Sequence, residues 1–167
     1  MLNKVEKENV VKELSECFTR FKSFYVVNPC GLASNDVNSL RKKCFENKIL
    51  YKVAKNSLIK KSLSSVNLVD VKMAEVNRYL KGFSGIFFLD EDKISYPANF
   101  IKDEKKINKK FPMQIKFASI EGDLFFGSDQ INVLSNLESR KEIIGSIVSS
   151  CLNSICLVIK SVCDSKV

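Results

Sequence analysis

The sequence contains no histidine. That absence removes Ser-His and Cys-His nucleophile pairs, imidazole zinc sites and the usual proton shuttle at neutral pH. Paired cysteines are missing as well: Cys17, Cys30, Cys44, Cys151, Cys156 and Cys163 form no C-x-x-C pair and no second cluster at metal-ligand spacing. They read as free thiols on apolar faces, small hydrophobes in a reducing cytosol. Residues 1–9 carry charges of both signs and no apolar core, so no signal peptide is expected. The phosphate-loop pattern G-x-x-x-x-G-K-[ST] is absent, and Gly82-Phe83-Ser84-Gly85 precedes a strand where such a loop needs a helix. Carboxylates lie dispersed among lysines, with Asp90-Glu91-Asp92 in a solvated turn. These gaps together lead us to expect no enzyme, no cofactor and no metal. A membrane span is not expected either, because the uncharged run Ile143–Ile159 is short of about twenty residues and is interrupted by Gly145, Ser146, Ser149, Ser150, Asn153 and Ser154.

What is present fits one domain with a core and a small appendage: 167 residues, 45% apolar and 28% charged. Lys+Arg 27 against Asp+Glu 19 leaves a net charge of +8, which favours a polyanionic partner such as nucleic acid or an anionic membrane surface.

Periodicity divides the chain. Val10, Val11, Leu14, Cys17, Phe18 and Phe21 recur at three and four, predicting an amphipathic helix over 4–21. Ser23–Asn28 reads as a buried strand ending at the Pro29-Cys30-Gly31 turn. Ser34 is expected to cap a second helix whose inner face carries Val37, Leu40, Cys44 and Phe45. A strand over 49–54 leads to a short helix over 56–63, capped by Asn56, and a further helix is expected over 71–80. Ser84–Leu89 is a contiguous apolar strand, a helix covers about 97–107, and 113–120 alternates as a strand. Gly122 and Gly127 are expected to bracket a loop around Leu124-Phe125-Phe126, and from Ser128 and Asp129 a helical stretch runs toward the end, broken near 137–139. The fold class expected is mixed α/β, a central sheet with flanking helices followed by a C-terminal helical extension, with domains at 1–134 and 135–167.

Charge is concentrated. Arg41, Lys42, Lys43, Lys48, Lys52, Lys55, Lys60 and Lys61 face one acid, Glu46, across 21 residues. A solvated helix face is the bland reading of such a run. The sharper one is that folding gathers these cations from helix, strand and cap onto one surface, with Lys55-Asn56 at a helix N-terminus where backbone N–H groups bind phosphate and the Asn56 side chain reaches a base or sugar. Lys102–Lys116, also lysine-rich, is expected to be polar exterior.

Near the end, Ile143/Ile144, Ile147/Val148, Cys151/Leu152 and Ile155/Cys156 recur every four residues, continuing to Val158/Ile159 and Val162/Cys163. A four-residue repeat drifts about 40° per step on a helix, so this stripe winds around it. Such a stripe suits partner helices arriving from successive directions; packing on its own domain and self-association stay open.

Tyr51-Lys52-Val53-Ala54-Lys55-Asn56-Ser57-Leu58-Ile59-Lys60-Lys61 resembles the K-V-x-K-N-[TS]-L-x-[KR]-[KR] signature of ribosomal stalk-base proteins, tenth of the bacterial large-subunit set and related to the P-zero proteins. Gly31-Leu32, Ser39-Leu40-Arg41-Lys42, Lys81-Gly82, Glu121-Gly122 and Leu134–Glu142 are similar to that family in order and spacing. Cys30 stands where the family usually has Arg, and Phe83 and Glu138 where Pro is common. The resemblance implies a structural constituent of the large ribosomal subunit in the cytoplasm, with a domain that binds large-subunit ribosomal RNA beside another RNA-binding ribosomal protein. It also implies a C-terminal helix carrying dimers of the acidic stalk protein, which recruit translational GTPases. Carried over residue by residue, the RNA contacts are Arg41, Lys52, Lys55, Asn56, Lys60, Lys61, Lys81 and Gly82, and the partner contacts are Ile143, Ile144, Ile147, Val148, Cys151, Leu152, Ile155, Val158, Ile159 and Val162. The alternative is another cytosolic RNA-binding module whose last helix packs on itself.

Overall fold

Burial explains the central strand. In the computed structural model, which describes residues 3–66, 73–107 and 111–164, Ser23–Asn28 (β1) lies in the middle of a five-stranded antiparallel sheet of order β2-β3-β1-β4-β5. Its neighbours are Gly85–Leu89 (β3) and Gln114–Ile120 (β4), with Leu50–Val53 (β2) and Asp123–Phe126 (β5) at the edges. Helices cover both faces, so β1 and β3 are apolar almost without interruption rather than alternating.

One face packs Phe24, Val26, Ile86, Phe88 and Phe117 against Leu14 and Phe18 of Lys4–Arg20 (α1), Ile59 and Leu63 of Asn56–Val66 (α3), and Val76 of Met73–Tyr79 (α4). The Phe18 ring meets Phe24 and Phe88 edge-on at 4.8 and 5.0 Å between centroids, a favoured aromatic geometry. The opposite face packs Tyr25, Val27, Phe87, Leu89, Ile115 and Ala118 against Leu40 and Cys44 of Ser34–Glu46 (α2), Ala98 and Ile101 of Tyr96–Ile107 (α5), and Leu134 of Ile131–Ser135 (α6). The Tyr25 hydroxyl enters that second core because it donates to the Ile94 carbonyl at 2.9 Å. Arg140–Asp164 (α7) belongs to a second compact unit; the chain divides at Leu137 and Glu138.

Several details depart from the sequence reading. Leu124–Phe126 is strand rather than loop: Glu121 and Gly122 both take positive φ, 50° and 102°, which closes a tight hairpin and pairs Ile120 with Asp123. Ala33, in extended conformation, is the N-cap of α2 and Ser34 the first helical residue. Phe45 is 85% exposed, since the Leu40/Cys44 pair sets the inward side of α2 and Phe45 lies about 100° further round. Cys30 is exposed at its turn, as are Cys151 and Cys156, so the thiols do not all sit on apolar faces that are covered. Of the helix expected over 71–80, Met73–Tyr79 is helical, and positions 71 and 72 lie outside the described residues. Lys116 is not exterior but 9% exposed. It is the extra residue at a bulge where β4 slips against β1, from Val26↔Phe117 to Val27↔Ile115.

Candidate nucleic-acid interface and helical extension

The site grows from the point where β2 hands over to α3. The Ala54 amide donates to the Ser84 carbonyl at 3.3 Å, and the Lys55 carbonyl accepts from Leu58 and Ile59, starting the helix. The first N–H groups of an α-helix have no intrahelical acceptor, and here they open beside the Lys55 side chain, which is exposed. Two hollows meet at this corner. One, of 780 Å³, runs between α1 and α3 with Val10, Val11, Val53 and Leu58 as its apolar floor, and Lys4, Lys7, Lys12, Lys55 and Lys61 on its walls against Glu8. The other, of 610 Å³, lies between Val53–Ser57 and Gly82–Ser84, where Phe83 is 68% exposed. Five cations around one acid give the corner a positive field, and the aromatic ring adds a stacking surface.

The predicted RNA residues divide across this geometry. Lys55, Asn56, Lys61 and Gly82 line the hollows, and Lys81 is exposed in the loop beside Gly82. Lys60 is half-buried on α3, and Lys52 is held by Glu13 of α1 at 3.2 Å. Arg41 lies on α2, which packs on the other face of the sheet from α3, so the basic segment is split between two layers rather than gathered into one. Arg41 is still felt at β2: burial pushes the Tyr51 hydroxyl up to about 12, while the Arg41 charge pulls it the other way. Lys43, by contrast, is bound to Glu104 at 2.7 Å and lies over the Phe100 ring.

Asn56 does something other than the sequence suggested. It is in the first turn of α3 and not its cap, and its Nδ2 donates to the Leu80 and Gly82 carbonyls at 3.1 and 2.7 Å. Both amide hydrogens are thus used within the protein. Sequence reasoning also passed over Lys4, Lys7 and Lys12, because α1 carries as many acids as basic residues, and Phe83, because nothing in a strand-leading Gly-Phe-Ser marks an exposed ring. Among the described residues no cluster of His, Cys, Asp and Glu could hold a metal ion.

The second unit has its own logic. Ser139 and Glu142 form a reciprocal capping box, Ser139 N–H donating to Glu142 Oε2 at 2.7 Å and Glu142 N–H to Ser139 Oγ at 3.3 Å, which fixes where α7 starts. The helix has 25 residues, about 37 Å of axis. Ile143, Ile144, Ile147, Val148, Leu152 and Ile155 are 44–61% exposed, and Cys151 and Cys156 are exposed with them. Val158, Ile159 and Val162 carry the stripe on in sequence, and their side chains lie outside the described residues. Among the described residues no helix is long and apolar enough to cross a membrane.

The first unit is an α/β sandwich with a cationic corner, and the second is a helix with an apolar stripe. Comparison with known proteins gives the family: residues 2–106 match that of ribosomal protein L10. The chain is 36% identical over 150 residues to the large ribosomal subunit protein uL10 of Amoebophilus asiaticus, covering 89% of this chain and 82% of the relative. It is 33% identical over 148 residues to the same protein of Cytophaga hutchinsonii, covering 89% and 86%. With that of Bacillus cereus it shares 31% identity over 163 residues, covering 96% and 93%. The chain belongs to the ribosomal protein L10 family of the large ribosomal subunit.

Proposed function

We propose that this chain is a non-enzymatic structural constituent of the large ribosomal subunit in the cytoplasm. It binds large-subunit ribosomal RNA through the corner where β2, α3 and the loop before β3 meet, beside a neighbouring RNA-binding ribosomal protein. The observation that carries the RNA reading is the five-lysine groove opening at the N-terminus of α3, with Phe83 exposed alongside. Phosphate contacts from Lys55, Lys61 and Lys81 orient the domain; Arg41, Lys52 and Lys60 reach the same RNA from the flanks of β2 and α3, and Gly82 lets the backbone approach closely. Asn56 serves the site by holding the Gly82 loop rather than by touching RNA.

The α7 stripe is the seat of the acidic stalk protein dimers, whose role is to recruit translational GTPases. Its support is the run of half-exposed Ile, Val and Leu along the helix; burying each such side chain contributes about 1.5–3 kcal/mol. Two substitutions in the full chain separate the surfaces. Ile147→Asp with Leu152→Asp abolishes the complex with acidic stalk protein on native mass spectrometry and leaves ribosomal RNA affinity intact. Retention of the complex would remove the stripe from the account.

A further inference from the structure

The loop that carries Lys81 and Phe83 is gripped from within. Its consecutive carbonyls are taken alternately by two side chains: Asn56 Nδ2 donates to Leu80 and Gly82, and Lys116 Nζ donates to Lys81 at 2.7 Å and to Phe83. Lys116 also donates to Ser84 Oγ at 2.7 Å, and the Ser84 carbonyl accepts from Ala54. Gly82, at φ +71°, supplies the left-handed residue that presents alternate carbonyls to opposite sides. Lys116 arrives there because it is the extra residue of the β4 bulge, which turns its side chain out of the alternation of Ile115 and Phe117. Its own carbonyl accepts from Gly127 at 2.9 Å, so the bulge is tied to the end of β5 as well.

A buried ammonium among three neutral acceptors is an expensive way to fill space. Desolvation lowers its pKa from the ordinary lysine value, and an apolar side chain of similar length would avoid that cost. What no apolar residue supplies is three donors on one atom, enough to fix a loop at three points. Outside this grip, Lys81 and Gly82 are exposed and the Phe83 ring is 68% exposed. We propose that Lys116 is a positioning residue, holding the Lys81–Ser84 loop in one shape so that Phe83 stacks on an unpaired RNA base while Lys81 meets its phosphate. This deepens the RNA reading and rests on it. Base stacking on an exposed aromatic ring suits single-stranded or splayed RNA.

The test uses the full chain as wild type, Lys116→Met, Phe83→Ala and the double variant, with a transcript of the stalk-base segment of large-subunit RNA. Loss of one stacked base weakens binding about 5- to 100-fold in Phe83→Ala. Lys116→Met weakens it at least as much, yet costs several-fold less in the Phe83→Ala background than in wild type, since only its hold on Lys81 is left to lose there. Equal losses in both backgrounds would overturn the positioning role. A measurement without RNA runs beside it: chymotrypsin cuts after Phe83 at least tenfold faster in Lys116→Met than in wild type, and an unchanged rate overturns the clamp. Should Lys116→Met not fold, Ser84→Ala removes one of the three acceptors and gives the same pattern at a few-fold scale, and wild-type rates and affinity in that variant overturn the inference. A wild-type chain that fails to bind the transcript sinks the RNA reading, and the cleavage rates then still decide the clamp.

Discussion

Replacing Asn56 tests whether its amide serves the protein or the ligand. Nδ2 donates to the Leu80 and Gly82 carbonyls at 3.1 and 2.7 Å, while Oδ1 is buried with no protein partner. Two neutral hydrogen bonds at about 0.5–1.5 kcal/mol each give a loss of about 1–3 kcal/mol in Asn56→Ala. Removing an unsatisfied buried acceptor returns part of that, so the net cost is about 1–2 kcal/mol. With a urea dependence of about 2 kcal/mol per molar, the unfolding midpoint falls by about 0.5–1 M. Asn56→Asp is more severe at neutral pH, because it substitutes a charged acceptor for the donor that faces two carbonyls, and it loses at least about 1 kcal/mol beyond the alanine variant. The assay is equilibrium urea unfolding of the full chain without RNA, followed by far-UV circular dichroism. An unchanged midpoint in Asn56→Ala, or an aspartate variant more stable than the alanine one, would refute this reasoning and return Asn56 to the role of a direct RNA contact.

The cysteines and buried hydroxyls give further checks. In the native chain Cys30, Cys151 and Cys156 react quickly with a thiol reagent, whereas Cys44 is protected until unfolding, because it is 3% exposed and burial pushes its thiol up to about 11; equal labelling rates would contradict the packing of α2. Cys44, Tyr25 and Tyr51 are all held neutral by burial, with values raised above the ordinary 9.0 and 10.0. Their contribution is whole below those ordinary values and is lost as pH climbs through the raised ones, so urea midpoints should hold through pH 8 and fall from pH 9 upward, with a loss of unfolding free energy on the order of 5 kcal/mol by pH 11. Lys116 works in the opposite sense, since its charged form is the disfavoured one. A midpoint that rises between pH 9 and 11 would mean that Lys116 outweighs the three.

Much of the fold was legible because burial leaves a mark on composition. The strands at 23–28 and 85–89 are apolar runs bounded by turns, and α1 and α3 show their inward faces at three and four. The Leu124–Phe126 strand was missed because the turn before it needs only two residues with positive φ, and Glu121 gives no sign of taking that conformation. Lys116 was misread for a different reason: a bulge shifts the phase of a strand by one, and nothing local announces which residue is the extra one. Charge was legible as a total and as a segment, but not as a surface. Arg41 and Lys61 are twenty positions apart on helices that cover opposite faces of the sheet, while Lys4 and Lys7, far off in sequence, share a groove with Lys55. The α7 stripe needed no tertiary information, since a repeat of apolar pairs is visible in the letters themselves.

Paired charge reversals read out by affinity for the large-subunit RNA transcript test the central claim most directly. Lys55→Glu with Lys61→Glu places two acids in the groove, whereas Lys42→Glu with Lys106→Glu makes the same change in net charge on the exposed sides of α2 and α5. The groove pair should lose at least about a hundredfold in affinity at physiological salt and flatten the log–log salt dependence by roughly 1.5, while the second pair stays within a few-fold of wild type. Equal losses from the two pairs, or a loss confined to the second, would contradict the placement of RNA at the corner of β2 and α3.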